Sequence, residues 1–231
     1  MIMKATDTMQ TTAGKDTTGT TRKIVILALL SAIGYIAMLY VKLPVIPAVS
    51  FLKYEPKDIF ITLAGFLYGP LAAFACAVVT AVLELPVSST AFIGMIMNIL
   101  SSAAFACTAA WIYRKHRNLT GAVIGLICGV AAMTATMLLW NYLITPLYMH
   151  VPRAAVAAQL TTVFLPFNLL KASINAALTL LFYRPFMRIL RLCGYPVNSH
   201  IADSKTSNIV VFVSAGVLLC ICVGAVIWIN R

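Results

Sequence analysis

The stretch Phe164-Leu-Pro-Phe-Asn168-Leu-Leu-Lys171-Ala-Ser-Ile-Asn175-Ala-Ala-Leu-Thr-Leu-Leu-Phe-Tyr-Arg184-Pro-Phe-Met-Arg188-Ile189 decides how this chain is read. It is apolar for long enough to cross a bilayer, which takes about 20 residues at about 1.5 Å of rise each. Inside it stand Asn168, Lys171 and Asn175, at i, i+3 and i+7, which is one face of a helix. A lysine near the middle of hydrocarbon costs roughly 2.5–3.5 kcal/mol on insertion scales. A chain that keeps one turns it towards a cavity, a partner or a ligand. The stretch therefore gives a membrane helix, and a polar face that something must use.

The rest of the chain agrees with a membrane setting. Hydrophobic residues make up 61% of its 231 residues and charged residues 10%, against about 45–50% and about 25% in soluble domains. The apolar runs are continuous and helix-length rather than short and alternating, so the fold class expected is an all-α integral membrane protein, not a barrel. The net charge of +11 is spread over helix ends, the positive-inside pattern, and no nucleic-acid-binding motif accompanies it. Five of the six cysteines (Cys76, Cys107, Cys128, Cys193, Cys220, Cys222) lie in apolar segments, where cysteine behaves as a small hydrophobe. Cys220-x-Cys222 has no histidine or second pair nearby, so no metal site is expected. Ala13-Gly14-Lys15-Asp16 lacks the earlier glycine and the Ser/Thr after lysine that a phosphate loop needs. No paired carboxylates, Ser-His-Asp set or His-Glu-x-x-His is present, so the chain reads as a non-enzyme with no resident cofactor.

Along the chain, residues 1–21 read as a disordered polar tail. Residues 22–191 read as a six-helix domain, 192–207 as a polar linker, and 208–231 as an additional transmembrane helix. The first helix covers Lys23–Tyr40 and carries Ala28 and Ala32, a small-xxx-small pair that lets another helix approach closely. Residues 41–58, with Pro44, Pro47 and Pro56, form a loop suited to roof a cavity. The second helix, Ile59–Tyr68, is short and is broken by Gly69-Pro70. The third, Leu71–Leu85, carries Glu84 near its end. Short spans of this kind border binding sites in transporters. Ser88-Ser89-Thr90 turns the chain into the fourth helix, Ala91–Tyr113, with Asn98, Ser101 and Ser102. The fifth, Thr120–Leu143, carries Asn141 and is expected to break at Thr145-Pro146. Residues 147–163 read as a loop with a weakly amphipathic piece, Arg153–Thr162. The sixth helix starts at Leu165-Pro166, a first-turn proline, and ends at Arg191, with Pro185 expected to kink it. Lysine and arginine counts put Arg22, Lys23, Arg114, Lys115, Arg117, Arg184, Arg188, Arg191 and Lys205 inside. The N-terminus is then cytoplasmic, and the C-terminus extracellular if the seventh helix spans.

That topology brings Asn141, Asn168 and Lys171 to one depth, open to the side of the 41–58 loop. They offer amide donors and acceptors plus one cation, with Phe51, Leu52, Tyr54, Tyr142, Phe164 and Phe167 as candidate walls. Such a site suits a flat, mostly uncharged, carbonyl-rich molecule. Two alternatives stay open. Asn98 and Asn175 pair between helices rather than with a ligand, and Lys171 pairs with Glu84, the one acid inside an expected span.

The ordered set Ala28-Leu-Leu-Ser-Ala32, Phe51-Leu-Lys-Tyr-Glu-Pro-Lys-Asp58, Gly65-Phe-Leu-Tyr-Gly-Pro70, Ser88-Ser-Thr90, Met97-Asn-Ile-Leu-Ser-Ser102, Asn141-Tyr-Leu-Ile-Thr-Pro146 and Phe164-Leu-Pro-Phe-Asn-Leu-Leu-Lys171 resembles the riboflavin-specific S components, the substrate-binding subunits of energy-coupling factor (ECF) transporters. The resemblance covers about Arg22–Arg191. It implies a six-helix bundle in the cell membrane that binds riboflavin from outside. It also implies a transmembrane coupling subunit and two ATPase subunits that power uptake. By the same resemblance Leu52, Lys53, Tyr54, Asn141, Asn168 and Lys171 contact the ligand, while Ala28 and Ala32 meet the coupling subunit. An S component for another vitamin or a flavin analogue, or a non-transport scaffold, is the alternative. The chain departs from the pattern after Arg191, where the extra helix is expected to be peripheral.

Overall fold

The computed structural model of the chain describes residues 2–41, 43–44, 53–88, 91–194 and positions 213, 215–217, 220, 224 and 227. The described residues form an all-α bundle. Its elements are α1 (Ile2–Tyr40), β1 (Leu43–Pro44), β2 (Lys53–Tyr54), α2 (Lys57–Tyr68), α3 (Pro70–Glu84), α4 (Ala91–Lys115), α5 (Leu119–Met149), α6 (Arg153–Gln159) and α7 (Leu165–Leu192). Its polarity is that of a membrane protein. Leu71 is 83% exposed, Ile24 60% and Leu139 59%, whereas Asp58, Thr62, Asn175 and Thr179 are fully buried. Apolar groups face outward because lipid solvates them, and polar groups face inward because lipid does not.

Among the described residues, five helical segments are long and apolar enough to cross a membrane: Gly19–Tyr40, Pro70–Val87, Ala91–Lys115, Leu119–Leu147 and Arg153–Leu192. The expected second span is too short for this. α2 has 12 residues, about 18 Å at 1.5 Å each. It is nonetheless the centre of the bundle. Ile59, Leu63 and Phe66 pack with α4, α5 and α7 around Phe105, Leu126, Met133, Leu180 and Tyr183. Ile61 and Ala64 on its other side pack with Leu30 of α1 and Ala73, Cys76 and Ala77 of α3. α2 stops at Gly69, whose φ of +93° only glycine adopts cheaply, and Pro70 opens α3.

Close backbone approach holds α4 and α5 together. A Cβ added at Gly125 would lie 2.7 Å from the Ala109 carbonyl oxygen, and one at Gly129 2.8 Å from that of Phe105. Without an aqueous driving force between helices, such approach is the main source of helix association in lipid.

Three expectations need correction. α5 does not break at Pro146 but continues to Met149 and ends at His150, which is left-handed. A proline inside a membrane helix forfeits one backbone hydrogen bond, a loss that neighbouring helices and Ser/Thr groups offset. Residues 147–163 are not a loop. α6 and a π-turn at Leu160–Phe164 run directly into α7. Pro166 has no N–H, and the wider π-turn falls where the α ladder must skip a bond. The segment expected as a disordered tail, 1–21, continues α1 back to Ile2. No proline interrupts it, and extending a formed helix avoids the nucleation cost. α7 runs through Pro185 to Leu192. The expected linker and seventh helix lie almost wholly outside the described residues.

Candidate functional site

The connection from α1 to α2 folds back on itself. β1 and β2 pair antiparallel, Leu43 opposite Tyr54 and Pro44 opposite Lys53. This ladder brings the two ends of the connection together before α2 begins, and residues 45–52 between them lie outside the described residues. Leu52 and Phe51 lie outside the described residues, and Lys53 is placed by its backbone alone. Tyr54 is buried at 5% exposure.

Directly after Tyr54 the chain enters a buried polar cluster. Glu55, Lys57 and Asp58 are all buried at the entrance of α2. Lys57 Nζ pairs with Glu55 Oε2 at 3.0 Å and with Glu84 Oε2 at the end of α3. The same Glu84 oxygen accepts from Asn98 Nδ2 of α4 at 2.9 Å. Asp58 accepts from Ser102 Oγ of α4 through one carboxylate oxygen, and from Asn175 Nδ2 of α7 at 2.9 Å through the other. Three carboxylates of the six acids in the chain are gathered here. A buried charge left alone is costly, so each carboxylate is met by a cation or by fixed donors. The first loop is thereby pinned to α3, α4 and α7 at once.

Asn141, Asn168 and Lys171 lie at this same end of the bundle. Asn141 is 1% exposed and Asn168 2%. Asn141 Nδ2 donates to the Met137 carbonyl at 2.7 Å, and its Oδ1 accepts from Thr145 Oγ1 at 2.9 Å. Asn168 Nδ2 donates to the Phe164 carbonyl at 2.7 Å, where the π-turn passes into α7. These bonds fix the amides while leaving each a second N–H and further acceptor capacity. Lys171 is 7% exposed, one turn before Asn175. Among the described residues its ammonium has no hydrogen bond or ion pair. The arrangement presents oriented amides and, among the described residues, a buried cation without an ion pair or hydrogen bond.

The sequence reading placed Asn98 and Asn175 in interhelical pairs, and both make them. It offered Glu84 as partner to Lys171, but the partner of Glu84 is Lys57. It missed Lys57 and Asp58, which fell in an expected loop. The signal available was scarcity: so few acids in a membrane chain, two of them flanking a lysine across Glu55-Pro-Lys-Asp58. Of the candidate walls, Tyr142 is 40% exposed, while Phe164 and Phe167 are buried in a small cluster with Val156 and Leu138. Ala28 and Ala32 are exposed on α1. A separate cavity of about 280 Å³ opens at the opposite end, lined by Phe66, Tyr68, Tyr113, Arg114 and Arg117 among others.

Fold and site together define a helical membrane protein with a cluster of buried polar side chains at one end of its bundle. Residues 22–183 match the family "ECF transporter, substrate-specific component", and the chain belongs to that family. It is 29% identical over 178 residues to "Riboflavin transporter FmnP" of Bacillus subtilis, across 73% of this chain and 92% of that protein. It is 27% identical to "Riboflavin transporter RibU" of Streptococcus thermophilus, across 74% and 85% of the two chains. It is 28% identical to "Riboflavin transporter RibU" of Staphylococcus aureus, across 74% and 93%. A solved structure described as "Structure and mechanism of the S component of a bacterial ECF transporter" superposes with a TM-score of 0.63 at 27% identity, covering 74% of this chain and 98% of that one.

Proposed function

We propose that the chain binds riboflavin at the loop-roofed end of its bundle, as the substrate-binding subunit of an ATP-driven importer in the cell membrane. The observation that carries this is the uncommitted Lys171 ammonium beside two fixed amides, Asn141 and Asn168, in a buried setting. An isoalloxazine ring is flat, apolar over its faces and edged with carbonyls and ring nitrogens. Asn141 and Asn168 supply paired donors and acceptors to that edge, and Lys171 donates to a carbonyl that gains electron density. By the resemblance to riboflavin-specific S components, Leu52, Lys53 and Tyr54 are the contacts expected from the first loop. The similarity to riboflavin transporters supports this choice of ligand.

The basic helix ends support an orientation with Arg114, Lys115, Arg184, Arg188 and Arg191 towards the cytoplasm and the first loop outward. By the resemblance to S components, ATP is hydrolysed by two partner subunits and its energy is transmitted by a membrane coupling subunit. Ala28 and Ala32, exposed on α1, are the seam for that coupling subunit. Titration of purified protein with riboflavin, followed by flavin fluorescence, tests the reading. Saturable quenching at or below micromolar ligand is expected, and its absence overturns the assignment. Competition by a different vitamin, with riboflavin inert, would move the ligand class instead.

A further inference from the structure

Two ammonium groups are buried at the ligand end of the bundle, and they are used differently. Lys57 is 1% exposed and is held by two carboxylates, Glu55 and Glu84. Lys171 has neither an ion pair nor a hydrogen bond among the described residues, yet it stands one turn from Asn175, whose amide bonds Asp58 next to Lys57, so Glu84 lies within its electrostatic reach. Glu84 therefore has two cations to choose from. Its Oε2 is taken by Lys57 and by Asn98. Geometry makes Lys57 the stronger claimant. It enters from the first turn of α2, is braced by Glu55 from behind, and has no route to solvent. An ammonium that reached Glu84 from α7 instead would be drawn off the face that carries Asn168.

We infer that Lys57 is a positioning residue for the ligand: by occupying Glu84 it keeps the Lys171 ammonium available to the bound molecule. This rests on the riboflavin reading and goes beyond it, because Lys57 touches no ligand-contacting group. Its effect passes through a competition for one carboxylate. Removing Lys57 leaves a buried carboxylate without its cation, which is the strongly unfavourable way to break such a pair. The nearest relief is for Lys171 to take the vacated partner. The ligand then loses its cationic contact although every ligand-contacting residue is still present. Removing Glu84 along with Lys57 removes the competitor, and Lys171 returns to the ligand.

The test is a mutant cycle on riboflavin affinity, with apo melting temperature recorded for each variant. Lys57→Met is expected to weaken binding about tenfold, the equivalent of one charge-assisted contact. In a Lys171→Met background the same substitution is expected to have no further effect on affinity. Lys57→Met/Glu84→Gln is expected to recover most of the loss. Multiplicative losses in Lys57→Met/Lys171→Met would overturn the inference, because a general loosening of the bundle acts whether or not Lys171 is present. Should Lys57→Met alone not fold, the Lys57→Met/Glu84→Gln protein decides, since of the two carboxylates that Lys57 held only Glu55 then keeps its charge. Affinity within about threefold of the original chain supports the inference, and a tenfold or greater loss overturns it. If the unaltered protein binds no riboflavin, the functional reading falls. If it binds and the cycle is additive, only this inference falls.

Discussion

Asp58 offers the sharpest test of how the bundle is held. Its carboxylate is fully buried and accepts from Ser102 of α4 and Asn175 of α7. Asp58→Ala removes both acceptors and leaves two buried donors unsatisfied, at about 1–3 kcal/mol each, or about 2–6 kcal/mol together. Asp58→Asn is different for a reason visible in Asn175. The Oδ1 of Asn175 is buried and has no hydrogen-bond partner among the described residues. A flip of the Asn175 amide would let that oxygen accept from the amide introduced at position 58, while Ser102 keeps its acceptor. Lys57 retains Glu55 and Glu84 in either variant. Asp58→Asn is therefore expected to cost under about 1 kcal/mol, close to the net value of a single exchanged hydrogen bond. For a chain of this size each kcal/mol moves the melting temperature by about 2–4 °C. In detergent, Asp58→Ala should melt on the order of 10 °C lower and Asp58→Asn within about 4 °C of the unaltered protein. Equal losses in the two variants would refute the reasoning, because the negative charge rather than the acceptor count would then be what the junction needs.

Other outcomes are expected of the same protein. Lys171→Met and Asn168→Ala should each weaken riboflavin binding by about 1–3 kcal/mol with little change in apo melting, read by fluorescence titration. Ala28→Trp and Ala32→Trp should leave binding intact but stop uptake in cells that carry the partner subunits, because bulk at an exposed helix seam blocks close approach. Gly125→Val should lower the melting temperature, since its side chain would collide with the Ala109 backbone 2.7 Å away; overpacking of this kind costs about 1–3 kcal/mol.

Much of the architecture was legible because lipid imposes a simple code. Gly69-Pro70, Ser88-Ser89-Thr90 and Arg114-Lys115 interrupt the long apolar runs, and the helix boundaries they mark are kept closely in the structure. Asn141, Asn168 and Lys171 stood out because polar residues in such runs are expensive and need a purpose. Proline was a mixed guide. Pro166 sits in the first turn of α7 as expected, just after a π-turn, but Pro146 lies within α5, where packing offsets the missing bond.

Composition and periodicity alone determined that this is a helical membrane protein with polar residues gathered on the start of its last long helix. They also brought Asn141, Asn168 and Lys171 to one end, because helices that alternate in direction fix depth from sequence position. Which charges meet there was decided only by the tertiary structure. Lys57 and Asp58 are adjacent in sequence but part company in space, Lys57 turning to Glu84 on α3 and Asp58 to Ser102 on α4 and Asn175 on α7. A local pattern cannot foresee this, since the choice depends on which three helices enclose the entrance of α2. The same packing leaves Lys171 without an ion pair or hydrogen bond among the described residues, which is why we propose this costly buried lysine as a group for the ligand.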